Sequence, residues 1–271
     1  MISSICFTLM AVMIKQVRHL PLMEIMLFRN IPTMIIIPII LIKTNISLLG
    51  NNKPILWLRG IMGTIGMLAM FYTFTVILLT DAMAIQQLRP FFVFFLSGIF
   101  LKEKLSLHQL PFFIFAFLGA LLVIKPGLRI DMFPIIIALL AAVSTATVHV
   151  TLRYLRLTDH HLVIINYFAY ISGIISLIML FLQKTYKVPS LFDLFILILI
   201  GGIAFLAQIA LTKAYQLSPA SLVSLYTYSQ IIFASIFDLI FFKEIPDIFS
   251  IIGASCIIIS GYLNYRYKSN N

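Results

Sequence analysis

The sequence predicts an all-α integral membrane protein: ten transmembrane helices arranged as two inverted five-helix repeats. Three observations carry that prediction. Of the 271 residues, 62% are hydrophobic and only 10% charged, with mean hydropathy +1.09. A soluble globular domain carries about 25% charged residues. The apolar residues fall in long continuous runs, whereas the spans of a membrane β-barrel alternate apolar and polar positions. A fourth run ending in Lys102-Glu103 is echoed by a ninth run ending in Lys243-Glu244.

The spans follow in order. Ile2–Ile14 is the first, shorter than the ~17–25 residues a crossing needs, so either a short shielded helix or a chain start upstream of Met1 fits. The second runs from Leu22 to Ile42, entered through Arg18-His19-Leu20-Pro21. The third runs from Ile55 to Leu79, the fourth from Asp81 to Leu101, and the fifth from Leu107 to Ile124. Lys125-Pro126-Gly127 stops the fifth, because proline and glycine punctuate helices, and opens the boundary between two halves. The sixth runs from Met132 to Arg153, the seventh from Leu162 to Leu182, and the eighth from Leu191 to Tyr215. The ninth runs from Pro219 to Phe242 and the tenth from Ile248 to Tyr265.

The halves are residues 1–125 and 132–267. Five spans is an odd number, so the second copy lies upside down relative to the first. Inverted repeats around a central site are a hallmark of secondary transporters. With the N-terminus inside, more Lys and Arg residues flank the cytoplasmic ends of the spans than the outer ends, so both termini are expected to be cytoplasmic. The net charge of +10 is spread between the spans one to three residues at a time, which suits anionic lipid and not nucleic acid. Cys6 and Cys256, one near each end, form no disulfide framework or metal cluster. No catalytic or phosphate-loop motif is present, and no cofactor is expected.

Ionisable groups deep in a span are costly and mark candidate sites. Arg89 lies well inside the fourth span, beside Pro90, which cannot donate a backbone hydrogen bond and so disturbs the preceding turn. Gln86 shares its face. Arginine grips carboxylate and phosphate in bidentate fashion, so Arg89 reads as a substrate carboxylate anchor. A structural ion pair or a snorkelling side chain is the alternative. Aligned on the Lys-Glu endings, Arg89 matches Gln230, with Tyr226 one turn earlier. His149 in the sixth span is either a titrating group or a buried, hydrogen-bonded one. Gln208, Tyr72 and, less directly, Asp238 are further candidates. Trp57, Arg59, Lys213 and Tyr215 read as interface anchors.

Taken together these residues resemble the drug/metabolite transporter superfamily, in its EamA-type ten-helix branch. The resemblance is carried by His19-Leu20-Pro21 with Glu24 and Phe28-Arg29, by Leu58-Arg59-Gly60, and by Asp81-Ala82 through Pro90 to Leu101-Lys102-Glu103. Lys125-Pro126-Gly127, Lys213-Ala214-Tyr215, Ser218-Pro219-Ala220 and Phe242–Asp247 complete it. The resemblance implies alternating access, a substrate cavity among spans three, four, eight and nine with one and six contributing, and peripheral spans five and ten. It also implies small-metabolite cargo such as amino acids or S-adenosylmethionine. The segment Pro189–Leu194 is similar to the S-adenosylmethionine subgroup. The expected setting is a bacterial inner membrane, as a monomer or homodimer. The competing readings are a membrane enzyme acting on a lipid, for which Asp159-His160-His161 is the one polar cluster, and a non-transporting scaffold.

Overall fold

In a computed structural model of the chain, residues 1–76, 85–103, 107–124, 132–237, 239–240 and 248–269 are described. Among them the secondary structure is helical, with no strand. Helix α1 is Ile2–Gln16, α2 Leu22–Lys43, α3 Lys53–Val76 and α4 Arg89–Leu101. Helix α5 is Leu110–Ile124, α6 Met132–Tyr154, α7 His161–Gln183 and α8 Leu191–Leu217. The ninth predicted span holds two helices, α9 Ala220–Tyr226 and α10 Ser229–Phe237, and α11 is Ile248–Ser269. Five segments among the described residues are long and apolar enough to cross a membrane: Leu22–Lys43, Met132–Leu157, His161–Gln183, Leu191–Leu217 and Ala220–Phe237. Ile2–Ile14, Arg89–Leu101, Leu110–Val123 and Ile248–Asn264 are shorter apolar helices. The expected boundary at 125–131, the start of the fourth span and Asp238 lie outside the described residues.

Local chemistry explains several ends. Pro21, at φ −58°, sits where its missing N–H costs nothing and leads α2 in. Lys102 and Lys184 adopt left-handed conformations, φ 51° and 50°, which turn the chain out of α4 and α7. Gly50 is also left-handed, φ +63°, and a Cβ there would lie 2.6 Å from the Asp159 carboxylate.

The chain falls into two compact units. One comprises Met1, Ile65–Arg153 and Ser218–Asn271; the other comprises Ile2–Thr64 and Tyr154–Leu217. Beyond Met1, the chain passes from one to the other between Thr64 and Ile65 of α3, at the last residue of α6, and again before α9.

In the first unit, α5 packs on α11 and α4 packs on α9. Its core joins Phe94, Phe113, Ala116, Ala120, Leu225, Tyr228, Ile231 and Ile257. Gly119 and Gly253 meet backbone to backbone: a Cβ on Gly119 would stand 2.7 Å from the Gly253 carbonyl, and one on Gly253 would strike the Gly119 carbonyl. Small residues permit this close approach where hydrophobic burial cannot drive association, because lipid is as apolar as the helices.

In the second unit, α2 lies against α7 and α8, and α1 against α8. Val17, Leu20, Ile25, Ile196, Leu197 and Ile200 form its apolar core. Gly60 of α3 accommodates Ile171 of α7. Gly201 of α8 accommodates Pro32 of α2, whose Cγ would lie 2.6 Å from a Cβ there. Loops are tied by polar groups. The Asp159 carboxylate accepts from the backbone N–H groups of Asn51 and Asn52, at 2.6 and 3.1 Å. His19 Nε2 lies 3.2 Å from the Asp193 carboxylate.

Candidate functional site

In the first unit, two helices are interrupted. Each interruption is a tight i→i−3 turn. Leu88 N–H bonds to the Ile85 carbonyl and Phe91 N–H to that of Leu88, both at 3.0 Å. Tyr228 N–H bonds to the Leu225 carbonyl at 3.2 Å and Ile231 N–H to that of Tyr228 at 3.0 Å. In the first case Pro90, at the start of α4, accounts for the turn, since its ring excludes the i−4 hydrogen bond. No proline marks the second.

An interrupted helix exposes backbone polar groups that a membrane interior tolerates only where protein or a cavity satisfies them. One is satisfied directly: the Tyr228 hydroxyl donates to the Gln87 carbonyl at 2.8 Å. The two residues lie 141 positions apart, the separation that also relates Glu103 to Glu244.

Six of the seven predicted site residues belong to this unit. Arg89 is half-buried at the first position of α4. Gln86 is buried; its Nε2 donates to the Ala138 carbonyl at 3.3 Å, while its Oε1 has no hydrogen-bond partner among the described residues. Tyr226 closes α9 and Gln230 is the second residue of α10, so the interruption separates them. His149 is buried in α6. Tyr72 is exposed, its ring edge-on to Phe133 at 6.4 Å. Tyr226 also lines a mostly apolar crevice of about 230 Å³ with Leu225, Ser229, Ile257, Gly261 and Tyr262. Arg89, Gln86 and Gln230 are not among its lining residues.

The Lys-Glu ending of the fourth span does more than mark a boundary. The Glu103 carboxylate lies 3.2 Å from Arg153 Nε, and both its oxygens accept from the Ala220 N–H, at 3.1 and 3.2 Å. It therefore caps the free N-terminus of α9.

The seventh predicted residue, Gln208, is in the second unit, and it leads to one that sequence reasoning misplaced. Arg59 is not an interface anchor. Its side chain is 1% exposed, the largest fully buried one among the described residues. Its Nη2 donates to Gln208 Oε1 at 3.3 Å, and its guanidinium stacks over Phe168, 4.2 Å from the ring centroid. Arg29 approaches the same ring at 5.6 Å. Gly63 makes the room: a Cβ there would lie 2.8 Å from Arg59 Nη1. The advance signals are the Leu58-Arg59-Gly60 motif and the glycine one helical turn after the arginine, Gly63.

Two members of the Asp159-His160-His161 cluster make structural contacts. Asp159 ties the 50–52 loop, and His160 Nδ1 accepts from Leu162 N–H at 3.4 Å, capping α7. Among the described residues no group of three His, Cys, Asp or Glu side chains could hold a metal.

Comparison with known proteins agrees with this architecture. The family model described as "EamA-like transporter family" matches residues 1–125 and 132–266. The pseudopaline exporter CntI of Pseudomonas aeruginosa is 28% identical, over 96% of this chain and 92% of its own. Mouse solute carrier family 35 member G1 is 30% identical, over 96% of this chain and 75% of its own. A protein of known crystal structure superposes with a TM-score of 0.86 at 14% identity, covering 98% of this chain and 96% of that one, which establishes the likeness of fold. The chain thus belongs to the EamA-like transporter family, as a multi-pass membrane transporter of small molecules.

Proposed function

We propose that the chain is a secondary transporter of a small carboxylate-bearing metabolite, such as an amino acid or S-adenosylmethionine, in a bacterial inner membrane with both termini cytoplasmic. The observation that carries this is the pair of interrupted helices in the first unit, with Arg89 at the restart of one and Gln230 at the restart of the other. Discontinuous helices supply binding groups in many secondary transporters. Arg89 anchors the carboxylate; Gln86, Tyr226 and Gln230 set the polarity beside it, and His149 and Tyr72 add polar groups from α6 and α3.

The halves 1–125 and 132–267 act as an inverted repeat. Equivalent contacts recur in exchanged order: Gly60 against Ile171 mirrors Gly201 against Pro32, and Gly119 meets Gly253 reciprocally. The pairing of Tyr228 with Gln87 at one register supports the same reading. The test is uptake into proteoliposomes of labelled amino acids and S-adenosylmethionine, each set against its decarboxylated analogue. Saturable uptake of carboxylates and not of the analogues is expected; equal uptake of both, or of neither, contradicts the reading.

A further inference from the structure

We propose that Arg59 is the core of a second anion-binding site, built into the unit of Ile2–Thr64 and Tyr154–Leu217, that receives an oxyanion of carboxylate or phosphate type. Three observations converge. First, Arg59 is buried, and its Nε and Nη1 have no hydrogen-bond partner among the described residues; Nη2 alone is engaged, by Gln208. Nε shares its edge with Nη2, which has a second N–H beyond the one given to Gln208, and such an edge grips an oxyanion through two parallel bonds; Nη1 is a further donor on the other side. Second, a further positive charge, Arg29, lies against the same Phe168 ring. Two cations on one aromatic ring repel each other, and an anion between their fields removes that cost. Third, the surroundings are shaped for the guanidinium. Gly63 leaves the space beside Nη1, and Thr212, one turn from Gln208 on its face of α8, has a buried hydroxyl with no partner among the described residues.

A side chain kept only for packing would not carry a charge here. An uncompensated buried ion is costly, and an apolar residue of similar volume avoids that cost. Phe168 and Gln208 hold the guanidinium in place but neutralise nothing, since one offers a quadrupole and the other a neutral amide. Among the described residues no carboxylate pairs with Arg59, which fits a negative charge brought by a ligand that comes and goes. The inference rests on residues of this unit alone and does not depend on the role given to Arg89 or on the identity of the transported solute.

The test uses the purified full-length protein in a neutral detergent, with thermal unfolding followed at constant ionic strength. The probes are succinate, inorganic phosphate and chloride, and a parallel arm adds phosphatidylglycerol. A ligand that binds the folded state raises the apparent melting temperature saturably. Succinate or phosphate is expected to do so, and chloride is not. Arg59→Gln is expected to weaken the half-saturating concentration about ten-fold or more. Without anion, the same variant should melt no lower than the native protein, because an unneutralised charge has been removed. Arg59→Lys, which keeps the charge and loses the fork, falls between. If Arg59→Gln does not fold, Gln208→Leu replaces it, and a weakened response is again expected. Saturation by phosphatidylglycerol with none by succinate or phosphate would keep the site and assign its oxyanion to lipid. Arg89→Ala should retain the response; its loss there would place the anion at Arg89 and overturn the second site. Absence of any saturable shift, or a full shift in Arg59→Gln, overturns it as well.

Discussion

The Tyr228 hydroxyl donates a 2.8 Å hydrogen bond to the backbone carbonyl of Gln87, joining two interrupted helices at the points where each is interrupted. The carbonyl is one that the turn before Pro90 withdraws from regular helical bonding. Both partners are buried, so the bond is made where water cannot replace it.

Tyr228→Phe removes the donor and leaves the Gln87 carbonyl buried and unsatisfied. Loss of about 1–3 kcal/mol is expected. Thermal unfolding checks this, at about 2–4 °C per kcal/mol for a chain of this size. A melting temperature equal to that of the native protein would show that the carbonyl finds another donor.

The Glu103 carboxylate serves two masters, Arg153 and the N-terminus of α9. Glu103→Gln weakens both contacts and is expected to cost about 1.5–3 kcal/mol, the range for a hydrogen bond to a charged group. A double-mutant cycle with Arg153→Met separates the ion pair from the cap. A coupling energy near zero would show that the cap carries the whole effect.

Gly119 and Gly253 approach so closely that a side chain on either meets backbone, which cannot swing aside. Gly119→Val is expected to destabilise by about 1–3 kcal/mol, the range for overpacking. Gly202, with open space around its Cα, is the control: Gly202→Ala should be neutral or slightly stabilising in α8, since alanine is the better helix former. Thermal unfolding of the two variants side by side decides it.

His160 lies outside the spans, and burial, with Lys213 adding to it, holds its imidazole below the ordinary histidine value. The folded state therefore binds fewer protons than the unfolded one. The neutral ring's contribution is complete above the unfolded value near 6.5 and is lost as pH falls toward the lower folded value. The melting temperature should fall from pH 7 to pH 5. His160→Asn, which caps without titrating, should flatten that fall; an unchanged slope would place the titration elsewhere.

Much of this architecture is legible in the sequence because bilayer thickness fixes span length and because Pro21 and Lys102 end helices by local rules. Pro90 likewise announces the first interruption. Nothing local announces the second: no proline lies between Tyr226 and Gln230, and the Tyr228 hydroxyl at that turn bonds to a partner 141 residues away. Arg59 was misplaced for a related reason. An arginine near the start of a span reads as a snorkelling anchor, and only the packing of Phe168 and Gln208 around it, from helices far along the chain, makes it a core residue. Glu103 looked like punctuation because its partners Arg153 and Ala220 share no periodicity with it. Period and punctuation are local properties; burial and pairing of polar groups belong to the tertiary contacts.

The most direct test of the central claim is uptake of a labelled carboxylate substrate by proteoliposomes containing Arg89→Ala or Arg89→Lys. If Arg89 grips the carboxylate, Arg89→Ala should raise KM by about 10–100-fold, the equivalent of about 1.4–2.8 kcal/mol. Arg89→Lys, a point charge in place of a planar fork, should lie between. An unchanged KM for every transported carboxylate in Arg89→Ala, with the protein still folded, would contradict the account.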